Sequence, residues 1–293
     1  MADFEEWLTW TFSPSISAIV VTLLVSLLLP ILLHSYLYRQ SGAKELATFV
    51  LIGPSGAGKT SLLTLFANGA TTTTHTSQVP QTAQCQLPLT TRASEDRYRS
   101  ENDDSARTQP QFHVLDTPGH GKLRHHALSA LTDTTKPLKG IVYVVDSAEL
   151  SSTAGLTEAA EYLHEILLVL QKRHTQGKTA KGPQGVAVLI AANKQDVFTS
   201  LPAGIVKTKL EEEMAKVRLT KSKGLLDSGV GSEDDAGADE ESNWLGEYGA
   251  RTFTFAQMEE HGIEVSVVGG NVLPDETGKT VTDDWWAWVG DNL

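Results

Sequence analysis

Apolar and polar positions divide the chain into one long uniform block and a series of short ones. Residues 16–33, ISAIVVTLLVSLLLPILL, are eighteen in a row without a charge. A helix built from them is apolar on every face, so no stripe separates a wet side from a dry one. At 1.5 Å per residue the run nearly crosses a bilayer core of roughly 30 Å, and residues 34–38 complete the crossing. Trp7, Trp10 and Phe12 on one side, and Tyr36 and Tyr38 on the other, are interfacial anchors. Pro30 lies near one end, where a bilayer helix tolerates it. The opening MADFEEW has no Lys or Arg, unlike the basic start of a cleaved signal peptide. The pattern predicts a short N-terminal segment over 1–15, one transmembrane helix over 16–38 and a linker over 39–46. Arg39 and Lys44 follow the helix and no basic residue precedes it, so the C-terminal side faces the cytosol.

From residue 47 onward short apolar runs alternate with amphipathic stretches. ATFVLIG (47–53), FHVLD (112–116), GIVYVVD (140–146), GVAVLIAAN (185–193) and IEVSVV (263–268) show little polar alternation. They read as strands of a sheet buried on both faces. Residues 156–170 and 205–217 have helical spacing between them. This order predicts an α/β fold with a doubly wound, mostly parallel sheet over 47–293. The polar stretches 92–109 and 222–250 read as flexible insertions. The closing DDWWAWV predicts a last helix that starts at Asp283 or Asp284 and packs its indoles on the sheet.

Charge adds one exclusion. The formal net charge is -12, which argues against direct nucleic-acid binding. Eight of the acidic residues lie between Gly224 and Ala250, where there is no Lys or Arg, so the remainder is only mildly acidic. The single cysteine, Cys85, rules out an internal disulfide framework.

Three motifs carry chemistry. GPSGAGKT (53–60) matches G-x-x-x-x-G-K-[ST] and stands between a strand and a helix-like stretch, the context a phosphate-binding loop requires. Its members are Gly53, Pro54, Ser55, Gly56, Ala57, Gly58, Lys59 and Thr60, with Ser61 next. Glycines let the backbone N–H groups turn toward phosphate, and the helix N-terminus adds partial positive charge. Lys59 reaches the terminal phosphates and Thr60 offers a hydroxyl to Mg²⁺. DTPG (116–119) follows a strand. Asp116 there can hold Mg²⁺ through water, and the Gly119 N–H can turn toward the γ-phosphate. NKQD (193–196) ends another strand. The Asp196 carboxylate can accept from both guanine N1–H and the exocyclic amine, a pair that adenine lacks. Asn193 ties this loop to the phosphate loop, and the stem of Lys194 covers the base. GTP with Mg²⁺ is thus the expected cofactor.

Further positions are less constrained. A switch threonine that gives its hydroxyl to Mg²⁺ belongs in TTTTHTSQVPQT (71–82), and Thr76 is the first choice, with Thr74 next. His120 follows DTPG where Ras-like proteins carry a glutamine that orients water, so it is the catalytic candidate. Ser266 marks the expected last guanine-contacting loop.

The N-terminal anchor, GPSGAGKT, DTPGHGKLR, YVVDSAEL, LIAANKQD, then VRLTKS, a polar insertion and FTFAQM together resemble the beta subunit family of the signal recognition particle receptor. The resemblance covers nearly the whole chain from the anchor onward. It implies a P-loop GTPase fold and a subunit of a receptor in the endoplasmic reticulum membrane, with 1–15 in the lumen. It implies that the GTP-bound form holds the N-terminal domain of the alpha subunit through the switch regions. Ribosome or translocon contacts would follow from that role, and GTP hydrolysis would be slow or partner-dependent. The alternative is a vesicle-trafficking GTPase of the Arf and Sar groups, which use an amphipathic or lipidated N-terminus instead of a spanning helix. A P-loop small-molecule kinase has no use for NKQD.

Overall fold

The computed structural model describes residues 16–41, 46–91, 93–94, 109–133, 137–176, 185–227, 244–247, 249–274, 278 and 280–293. The N-terminal segment 1–15, residues 42–45 of the linker and nearly all of the 92–109 insertion lie outside them. Two compact units divide the chain, Met1–Glu45 and Leu46–Leu293.

The first unit holds helix α1 (Ile16–Ser41), 26 residues with Pro30 inside. Its apolar side chains are exposed, among them Ile19, Leu23, Leu27 and Ile31. The Thr22 hydroxyl donates to the Ile19 carbonyl at 3.0 Å. Among the described residues no helix is long and apolar enough to cross a membrane.

The second unit is built on a six-stranded sheet in the order β2-β3-β1-β4-β5-β6. Strands β1 (Thr48–Ile52), β3 (Gln111–Asp116), β4 (Leu138–Asp146), β5 (Val186–Asn193) and β6 (Ile263–Gly269) are parallel. β1 and β5 are buried at every position, which is why their sequences show no alternation. On one face Tyr143, Ile190 and Val188 pack against α3 (His125–Thr132), α4 (Thr153–Gln176) and α5 (Ala203–Asp227). On the other, Phe49, Leu51 and Val142 pack against α2 (Lys59–Asn68) and α6 (Asp283–Asp291). Trp285 of α6 is fully buried there, as DDWWAWV predicts.

Two findings differ from the sequence reading. Gln81–Gln86 is a strand, β2, antiparallel to β3 at the sheet edge. Its sequence QTAQCQ buries only Cys85, so it carries no apolar run to betray it. The stretch 222–250 is not an insertion throughout. Helix α5 continues to Asp227, and Leu245 is fully buried where the chain returns. The Arg218 guanidinium donates to the carbonyls of Leu245 at 3.0 Å, Thr252 at 3.1 Å and Ala250, and it stacks on Trp244. Gln171 donates to Trp244 O and accepts from Gly246 N, both at 2.9 Å. Residues 228–243, between these anchored ends, lie outside the description.

His164 of α4 is buried, and neither ring nitrogen has a hydrogen-bond partner. Burial, with the nearby charges of Lys221 and Arg218, holds its pKa down to about 4 from 6.5. The unfolded chain therefore binds more protons between those values, and stability falls as pH drops through that window. The loss is about 3 kcal/mol when complete. His164→Phe is expected to flatten the acid limb of melting temperature against pH between about 6.5 and 4; an unchanged limb would assign it to other groups.

Candidate nucleotide-binding site

The C-terminal ends of the parallel strands point to one side, and the loops leaving them enclose a cavity of about 550 Å³. The loop after β1 forms its floor. Gly53 sits at φ 147°, and a Cβ there would lie 2.1 Å from the Val144 carbonyl oxygen, so only glycine lets the loop leave against β4. Gly58, at φ 101°, starts α2 directly beneath the Asn193 side chain. Ser55, Gly56, Gly58, Lys59, Thr60 and Ser61 line the cavity. Gly53, Pro54 and Ala57 stand behind and serve through their carbonyls. Lys59 Nζ donates to Gly53 O at 2.8 Å and Pro54 O at 2.7 Å. Burial lowers its pKa to about 8, against the pull of the Asp116 charge. An arriving anion would relieve this cation, since its present oxygen partners are neutral.

Asp116, at the end of β3, is fully buried behind Thr60, whose hydroxyl donates to its Oδ2 at 2.7 Å. Its Oδ1 is buried and has no partner. Burial raises the carboxyl pKa, while the Thr60 bond and the Lys59 charge oppose that rise. A hydroxyl beside a carboxylate with a spare oxygen fits a hard cation that keeps several waters, as Mg²⁺ does. Gly119 closes over the phosphate loop: a Cβ there would lie 2.4 Å from Lys59 Nζ and 2.7 Å from Gly53 O. From the threonine-rich segment Thr74, His75, Thr76 and Ser77 line the cavity. Thr76 carries no hydroxyl bond to the loop, whereas Thr74 Oγ1 lies 2.9 Å from Ser61 Oγ.

At the opposite end lies the loop after β5. Asn193 Nδ2 donates to Ala57 O at 2.8 Å, and its Oδ1 accepts from Val272 N at 3.0 Å. One buried amide thus joins the phosphate loop, the β5 loop and the loop after β6. Lys194 adopts φ 63°, and its Nζ contacts Asp146 Oδ2 at 2.5 Å. Asn193, Lys194 and Asp196 all line the cavity.

Two expected residues are not brought in. His120 is exposed and does not line the cavity; its Nδ1 accepts the Lys122 N–H at 3.2 Å and caps a single 3₁₀ turn, Gly121–Leu123. Ser266 sits inside β6 opposite Leu189, three residues before the strand ends. The base end is closed instead by Val272 and Leu273. Gly270 holds their loop, accepting from Gln195 N at 3.1 Å and donating to Ala192 O at 3.0 Å. The paired glycines 269 and 270 were the available signal for that turn.

A mostly parallel sheet that gathers GPSGAGKT, DTPG and NKQD around one cavity is the fold of the P-loop GTPases. The family model of the signal recognition particle receptor beta subunit matches residues 44–262. The chain belongs to that family. A curated relative from Saccharomyces cerevisiae, signal recognition particle receptor subunit beta, is 29% identical over 249 residues, 84% of each chain. Among solved structures, the receptor SRb-GTP/SRX complex from Chaetomium thermophilum superposes with a TM-score of 0.64 at 35% identity, covering 83% of this chain and 98% of that one. SRb-GDP-Mg from the same organism gives 0.61 at 34%, with coverages of 85% and 99%. The ADP-ribosylation factor-like protein 4D of Mus musculus matches only 39% of this chain, at 38% identity, which makes the Arf-like alternative a distant one.

Proposed function

We propose that this chain binds GTP with Mg²⁺ and, in that state, holds the N-terminal domain of the receptor's alpha subunit at the endoplasmic reticulum membrane. The observation that carries the reading is the convergence of the phosphate loop, Gly119 of DTPG and NKQD on one cavity, with Asp116 buried directly behind Thr60. The loop 53–60 and Ser61 hold the phosphates through backbone N–H groups and Lys59. Thr60 and Asp116, with Thr76 or Thr74, serve Mg²⁺, which neutralises phosphate charge when bound. Asn193, Lys194 and Asp196 serve guanine, and the backbone of 270–273 takes the place assigned to Ser266.

Thr76 and Gly119 line the cavity from two separate segments on its phosphate-loop side. A γ-phosphate there would order both, and the ordered surface is what a partner reads. The family relative solved as an SRb-GTP/SRX complex supports this coupling of nucleotide to partner. His120, on the turn beside Gly119, would face that partner rather than the water that attacks GTP.

Membrane attachment is assigned to α1. Its 26 residues amount to about 39 Å and its core 16–33 is uncharged, and Arg39 and Lys44 after it support a cytosolic side for residues 46–293. Alkaline extraction of membranes should leave the full chain in the pellet.

Titration calorimetry on the full chain in detergent is expected to detect GTP binding and no comparable heat with ATP. Equal heats would overturn the base assignment, and no heat with GTP the whole reading. Pull-down with GTP-loaded against GDP-loaded protein should recover the alpha subunit preferentially with GTP.

A further inference from the structure

The turn that follows β4, within YVVDSAEL, is not one of the three nucleotide motifs, yet it is wired to one of them. Asp146 ends β4 in register with Asn193 at the end of β5. Its Oδ1 accepts the N–H groups of Ala148 at 2.9 Å and Glu149 at 3.2 Å. Its Oδ2 is left for the Lys194 ammonium at 2.5 Å. The Asp146 side chain is 13% exposed and that of Lys194 35%. A surface ion pair between two freely moving chains is worth little. Here one partner is fixed in advance, because two backbone donors orient the carboxylate whether or not the lysine is present.

The lysine is the constrained partner. Among the described residues Lys194 is the one non-glycine with positive φ, a conformation disfavoured for a residue that carries a Cβ. The surrounding loop is bolted to the same turn: Ser147 N donates to Asn193 O at 3.0 Å, and Gln195 Nε2 donates to Ser147 Oγ at 3.0 Å. Lys194 lines the base end of the cavity. Its four-carbon stem therefore runs between a strained backbone and a fixed anion, with both ends set before any ligand arrives.

On the reading that this cavity takes a guanine nucleotide, we propose that Asp146 is a positioning residue for the base. It holds the Lys194 stem against the base end of the cavity and so sets how slowly the nucleotide leaves. The ligand class is a guanine nucleoside di- or triphosphate. The contribution is kinetic retention through preorganisation, since a stem already in place loses no further rotamer freedom on binding.

The test uses the full chain in detergent loaded with a fluorescent GDP analogue, chased with excess GDP. Loading of the unsubstituted chain is the control: its failure would refute nucleotide binding itself and not this role. Asp146→Asn keeps the size and the acceptor for Ala148 and Glu149 but removes the charge on Lys194. It is expected to speed release roughly tenfold, the loss of one charge-assisted bond. Lys194→Met, which keeps a stem without the ammonium, should speed release similarly. The double substitution should be no faster than Lys194→Met alone. Release within twofold of the unsubstituted chain for Asp146→Asn would overturn the proposal. So would an equal acceleration by Asp146→Asn in the Lys194→Met background, because Asp146 would then act through its turn. Should Asp146→Asn fail to fold, Lys194→Met alone decides, and unchanged release from it overturns the proposal.

Discussion

Asp196→Asn is expected to weaken GTP binding by roughly 10²–10³-fold and to turn the preference toward xanthosine triphosphate. In NKQD, Asn193 is spent on Ala57 and Val272, Lys194 on Asp146, and Gln195 on Ser147 Oγ and the Leu201 carbonyl at 2.7 Å. Asp196 remains, exposed on the cavity wall and held by a loop whose other three side chains are fixed. Its carboxylate offers two acceptors to the two donors on guanine. An amide offers one acceptor and one donor, so it leaves one guanine donor facing another donor. Xanthine carries a carbonyl where guanine has its amine, and the amide then pairs at both positions. Competition of GTP, ITP and XTP against a fluorescent GDP analogue reads this directly. Inosine lacks the exocyclic amine, so ITP should lose affinity to the unsubstituted chain and lose less to the variant. Retained guanine selectivity in the variant would remove Asp196 from base recognition.

What could be read from the chain beforehand follows from which residues make their contacts through side chains. Asp116, Lys59 and Asn193 do so, and the three motifs fixed their places, Lys59 and Asn193 on the cavity wall and Asp116 directly behind Thr60. The buried parallel strands were equally plain, because covering both faces of a sheet leaves no room for polar alternation. β2 was hidden for the opposite reason. It is an edge strand whose Gln84 amide pairs with Gln111 at 2.7 Å, and edge strands need few apolar residues. The loop after β6 acts through backbone atoms of Gly270 and Val272, which many sequences supply, so a side chain four residues earlier drew the assignment. His120 was placed by analogy with a glutamine, and its ring caps its own turn instead. The return from the acidic insertion depended on Arg218 and Gln171, some 27 and 75 residues away from their partners Leu245 and Gly246, a separation no local pattern reveals.

The amide of Asn193 is where fold and site meet, and two substitutions separate its contributions. Asn193→Ala strips a donor from Ala57 O and an acceptor from Val272 N, both in a buried setting. At about 1–3 kcal/mol for each orphaned group, the loss is a sizeable part of a typical stability of about 5–15 kcal/mol. The melting temperature should fall clearly and GDP affinity with it, as the base end and the phosphate end lose their common tie. Asn193→Asp is nearly isosteric and retains the acceptor for Val272 N. It sets a carboxylate against the Ala57 carbonyl, beside a loop built to receive phosphate. In its charged form it should harm nucleotide binding at least as much as alanine does. In its protonated form its hydroxyl can donate to Ala57 O as the amide did. Burial and the facing carbonyl both favour that protonated form, so the titration lies above the usual carboxylate range. GDP affinity of Asn193→Asp should therefore recover as pH falls from about 8 toward 5.5, while that of Asn193→Ala shows no such recovery. Parallel pH profiles for the two variants would mean that the amide acts by filling space and not by joining the loops.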